Sequence, residues 1–71
     1  MYWYERSMSE AFAHADGREY ASASDNVVSF ADGTKVCCVS WWSAEEAYPP
    51  KWYIFGDIAR PGETGIAVRP R

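Results

Sequence analysis

The 71 residues carry 10 Asp and Glu against 7 Lys and Arg, a net charge of −3 at neutral pH; 48% are hydrophobic and 17% aromatic. That length allows a single domain, 1–71, with a thin core, because a chain of this size buries only roughly 60% of the surface it exposes unfolded. Four Trp, five Tyr and three Phe exclude a disordered composition, and no apolar run approaches the ~20 residues of a membrane span.

Tyr2-Trp3-Tyr4 reads as a short strand or a packed N-terminal arm. Ser7-Met8-Ser9-Glu10 then has the spacing of a capping box, in which the Ser hydroxyl accepts from the third amide and the Glu side chain reaches back. Met8, Ala11, Phe12 and Ala15 share one stripe of the helix that follows, predicted over 8–15, and Gly17 suits the left-handed position past its end. Ala21 to Asn26 is a loop or a polar edge strand. Asn26 to Phe30 and Lys35 to Trp42 are apolar runs around Ala31-Asp32-Gly33-Thr34, the strongest hairpin signal in the chain. Its register stays open. A two-residue turn pairs Ala31 with Thr34, a three-residue loop with a glycine bulge pairs Phe30 with Thr34, and the choice decides which of Trp41 and Trp42 faces inward.

Ser43-Ala44-Glu45-Glu46 repeats the capping-box spacing and predicts a helical turn that stops near Tyr48, since Pro49 and Pro50 cannot extend it. Lys51 to Ile58 reads as a strand with Trp52, Ile54 and Ile58 on one face and Tyr53, Phe55 and Asp57 on the other. Arg60-Pro61-Gly62-Glu63 fits a type II turn, and Thr64 to Arg69 reads as a last strand. The predicted fold class is α+β: a small antiparallel sheet of three to five strands in meander order, with one short N-terminal helix packed on it. The alternative is an SH3-like small barrel.

The chemistry-bearing residues are few. His14 is the only histidine, and its place near a helix C-terminus suits a structural or surface role. Cys37 and Cys38 are adjacent, so on a strand they point to opposite faces and read as reduced, packed thiols. With no second cysteine pair, the spacing fits no metal-finger pattern. Glu45 and Glu46 are neighbours, and adjacent helical residues do not face each other as an acid/base pair does. No glycine-rich phosphate loop is present. Neither a catalytic set nor a cofactor or metal site is therefore expected.

The charge is uneven. Residues 1–33 carry six acids and two bases, while 34–71 carry four acids and five bases. An acidic front half disfavours direct binding to nucleic acid and suits a basic protein surface. The N-terminus lacks the basic-then-apolar pattern of a signal peptide, and the thiols suit a reducing compartment, so a cytoplasmic protein is expected. The segment from Trp41 to Tyr53 concentrates rings, prolines and acids, and marks Trp42, Glu45, Glu46, Tyr48, Trp52 and Tyr53 as candidate partner-binding residues. The expected function is a non-enzymatic protein-binding module, an inhibitor or modulator of a larger complex. It matches phage-encoded inhibitors such as anti-CRISPR proteins in size and style, with no shared motif. Two alternatives remain: a single-stranded nucleic-acid binder using aromatic stacking with Lys51, Arg60, Arg69 and Arg71, and a homo-oligomer that pairs through 64–69.

Overall fold

The computed structural model describes residues 1–39 and 50–70. The elements run β1 (Tyr2–Arg6), α1 (Met8–Ala15), β2 (Tyr20–Ser24), β3 (Val27–Phe30), β4 (Lys35–Val39) and β5 (Lys51–Gly56). All five strands join one antiparallel sheet in the order β1-β5-β4-β3-β2. The α+β class, the five strands and the N-terminal helix agree with the sequence reading. A simple meander does not. The run β2 to β5 is a meander, but α1 carries the chain from one edge of the sheet to the other. β1 therefore pairs with β5 and not with the strand that follows it.

The SH3-like barrel also fails, because the sheet does not close. Among the described residues the outer edge of β1 is hydrogen-bonded to Ile66 alone, through a pair of backbone hydrogen bonds with Trp3 of 2.9 Å each. That bridge is all that remains of the predicted strand over 64–69; Ala67 and Val68 form a bend, and Thr64, Gly65 and Arg69 have no regular structure. One reason lies at Gly65, where the backbone passes so close to β1 that a Cβ would lie 2.3 Å from the Cβ of Tyr2. Close approach replaces an extended ladder there.

Ser7 caps α1 as predicted, its hydroxyl accepting from the Glu10 amide at 3.1 Å. The reciprocal half of the capping box differs. The Glu10 carboxylate accepts from the Ser7 hydroxyl at 3.2 Å and from Arg60 at 2.5 Å, because the 60–63 turn brings a guanidinium within reach. Gly17 follows the helix at φ 77°.

The Asp-Gly hairpin takes the three-residue loop. Ser29 pairs with Lys35 and Val28 with Val36, Phe30 and Thr34 close the loop at 2.9 Å, and Gly33 adopts φ 91°. Asp32 fixes this geometry by accepting from the Thr34 amide at 3.0 Å and its hydroxyl at 2.6 Å, an Asx-type turn. The Arg60–Glu63 turn is type II, with Gly62 at φ 77° and the Glu63 amide donating to the Arg60 carbonyl at 2.9 Å.

Strand alternation gives the sheet two apolar faces. On one, Ala11 of α1 packs with Phe30, Val36 and Ile54, flanked by Ala15, Val28, Trp52 and Ile58. On the other, Trp3, Val27 and Cys37 are buried beside Val39, Tyr53 and Phe55, and the Trp3 and Phe55 rings tilt together at 5.1 Å. The C-terminal stretch crosses this second face. It leaves the β1 edge at Ile66 and reaches the β2–β3 turn, where Arg69 meets Asp25 at 3.3 Å.

Candidate functional site

The helix stripe divides differently from the sequence reading. Ala11 and Ala15 face the sheet, while Met8 and Phe12 are 51% and 57% exposed. Small side chains at i and i+4 let an eight-residue helix lie close to the strands, and that close approach rolls the larger neighbours outward. Phe12 then sets its ring edge against half-buried Trp52, with centroids 5.1 Å apart and planes at 74°. Met8 and Trp52 also line a shallow groove with Arg6, Ser7, Pro50 and Lys51. The result is an apolar strip of one Met, one Phe and one Trp at the end of β5 where its chain begins.

Of the six candidate contact residues, Trp42, Glu45, Glu46 and Tyr48 lie outside the described residues. So do the second capping box and the Trp41/Trp42 alternation. Trp52 and Tyr53 are placed on opposite faces of the sheet: Trp52 pairs with Arg6 and Cys38 beneath the helix side, Tyr53 with Glu5 and Cys37 on the other. They do not form one surface. Trp52 joins Met8 and Phe12, whereas Tyr53 packs into the second core. The sequence reading missed Met8 and Phe12. Two alanines spaced i, i+4 on the same short helix were the available signal.

Beside this strip lies a charge network. The Arg6 side chain, 3% exposed, donates to both Glu63 carboxylate oxygens at 2.7 Å, to the Ile58 carbonyl at 3.0 Å and to the Glu5 carbonyl at 2.8 Å. The Arg6 guanidinium, helped by the Arg60 amide, holds the Glu63 carboxyl down at about 2. In return the Glu63 hydrogen bond raises the Arg6 pKa, against the opposing effect of burial. A bidentate arginine–carboxylate pair of this kind fixes geometry as well as charge. It ties β1 to the 60–63 turn, and Arg60 extends the tie to Glu10 on α1.

Arg18 and Asp32 are engaged as well. Arg18 donates to the His14 carbonyl at 2.5 Å and pairs with Asp32. The hydrogen bonds from Thr34 hold Asp32 at about 2. The His14 ring packs against Gly56, its Nε2 is buried with no partner among the described residues, and burial followed by the nearby Arg18 lowers its pKa. Cys37 is buried on the second face, and burial pushes its thiol up, away from the thiolate a nucleophile needs. Cys38 lies on the helix side, so the two thiols occupy opposite faces. Among the described residues, no three His, Cys, Asp or Glu side chains converge as metal ligands would, and no helix is long and apolar enough to cross a membrane.

Comparison with protein-family models, with curated proteins and with solved structures finds no match to this chain.

Proposed function

We propose that this chain is a non-enzymatic protein-binding module that modulates or inhibits a larger protein by covering part of its surface. The observation that carries the reading is the exposed strip of Met8 and Phe12 beside Trp52. Met1, Tyr2, Tyr20, Ile66 and Val68 are exposed as well, but Met8 and Phe12 stand outward together on one helix beside Trp52. Aromatic residues and methionine are enriched where proteins meet, and a Phe ring steadied against a Trp is a low-entropy anchor. The committed state of Arg6, Glu10, Asp32 and Glu63 favours binding over catalysis, because each charge already has a partner inside the molecule.

The test is capture from host lysate with the wild-type chain and with a Met8→Ser/Phe12→Ser variant, each with and without nuclease, read by mass spectrometry. A protein retained by the wild type in both treatments and lost by the folded variant supports the reading. Equal retention by both chains contradicts it. Retention that disappears with nuclease replaces it with nucleic-acid recognition.

A further inference from the structure

We infer that His14 is an acid-released latch between α1 and β5: on taking up a proton its ring leaves its seat over Gly56 for the open groove beside it, and the last turn of α1 loosens. The latch belongs to the chain alone and needs no partner on the Met8–Phe12 strip.

The seat suits a neutral ring. His14 stands on the last turn of α1, and its Cε1 and Nε2 lie 3.8 and 3.9 Å from the point where Gly56 would carry a Cβ. Nε2 is buried and has no partner among the described residues. Nδ1 lies 3.5 Å from Arg18 Nη2. A neutral imidazole has one lone pair and can turn it to the guanidinium, whereas an imidazolium carries an N–H on both sides. Protonated in place, the ring would set one N–H against a donor and bury the other without an acceptor, together with a charge.

The surrounding charges do not relieve this. Arg18 brings a like charge to the ring. Asp32, on the β3–β4 loop, already accepts from Thr34 and pairs with Arg18. The favourable place for a cation at the helix C-terminus is taken, because Arg18 Nε donates to the His14 carbonyl at 2.5 Å. Asp16 and Asp57, the acids next along the chain to the ring and its seat, are exposed. Burial and then Arg18 lower the His14 pKa, with Asp32 opposing them.

A way out lies beside the ring, in an open groove lined by His14 and Glu10 of α1, Arg6 and Ile54 of the sheet, and Arg60. Arg6 is tied there to Glu63, while Glu10 meets Arg60 as an exposed pair. Glu10 precedes His14 by four residues, the spacing at which a carboxylate and a cation attract on a helix. The helix has little else to hold its last turn: small Ala11 and Ala15 seat it on the sheet, and eight residues are marginal as a helix without docking.

The test is NMR of the full chain, without a partner, from pH 8 to pH 5, following the His14 ring, the Gly56 amide and amide exchange along α1. The imidazole should titrate below its ordinary 6.5, and the Gly56 amide should shift along the same curve. Exchange at Ala15 and Asp16, corrected for its intrinsic pH dependence, should rise at least about fivefold, the weight of one buried unsatisfied polar group, while β3 and β4 keep their protection. Arg18→Gln removes the like charge and should move the midpoint up toward 6.5. His14→Gln should flatten the Gly56 curve while the strand amides stay protected. A ring that titrates without moving Gly56 or the last turn overturns the inference. So does a midpoint at or above 6.5, a Gly56 curve that survives His14→Gln, or strand protection lost together with the helix.

Discussion

Replacing Gly65 by alanine tests how the C-terminal stretch is held. The new Cβ would lie 2.3 Å from Tyr2 Cβ and 2.9 Å from Tyr4 Cζ, whereas carbon atoms pack at about 3.5–4.0 Å. Tyr2 Cβ is fixed to the β1 backbone and has no rotamer that relieves the overlap. Residues 63–66 must therefore move away by more than 1 Å (roughly the shortfall in that contact), which breaks the two 2.9 Å hydrogen bonds between Trp3 and Ile66. Each such bond contributes about 0.5–1.5 kcal/mol net, so the substitution should cost about 1–3 kcal/mol, the usual range for overpacking. In a domain this size about 2 kcal/mol lowers Tm by roughly 8–16 °C. Thermal and urea unfolding followed by tryptophan fluorescence measures the loss, and amide exchange at Ile66 should rise first. A Tm within a degree of wild type would refute the close-packed β1 edge.

Other expectations follow from the same geometry. Ser7→Ala removes the acceptor for the Glu10 amide and should cost about 1 kcal/mol in urea unfolding, while Ile54→Ala, at the centre of the helix-side core, should cost about 2–5 kcal/mol. Acid should weaken the fold in two windows. His14 has a lowered pKa in the folded chain, so below its ordinary value of 6.5 the unfolded chain takes the proton first and stability falls with pH. Glu63 is held at about 2, so the stability it contributes is present above its ordinary 4.5 and is lost as pH falls from there toward 2. Urea titrations at stepped pH should show both windows in the wild type and only the lower one in His14→Gln. Alkylation of the native protein should label Cys38 before Cys37, as read by peptide mass, because only Cys37 is fully buried.

Local signals carried much of the fold. The Ser7 cap, the Gly17 stop, the Asp32-Gly33 loop and the Arg60–Glu63 turn each depend on residues within four positions of one another, and each forms where its chemistry predicts. Long-range pairing was another matter. Nothing local distinguishes β1 beside β5 from β1 beside β2; that choice depends on α1 crossing the sheet, a tertiary decision. The 64–69 segment has strand composition, but Gly65 seats it against Tyr2 and leaves a single bridge. The candidate surface was half legible. Trp52 stood out by composition, while Met8 and Phe12 were assigned to the core, because a hydrophobic stripe does not say which of its members a close-packed helix turns away from the sheet. The Arg6–Glu63 pair joins residues 57 positions apart and left no trace in the sequence pattern.

The most direct test of the binding account is the affinity of the captured partner for wild type and for Phe12→Ser, measured by calorimetry at equal folded fraction. The Phe12 ring is more than half exposed, and its edge contact with Trp52 contributes about 0.5–1.5 kcal/mol. The variant should therefore stay folded while its affinity drops at least about tenfold, the loss expected of an anchor residue. Unchanged affinity with an intact fold would contradict the account and show that the partner binds elsewhere on the molecule.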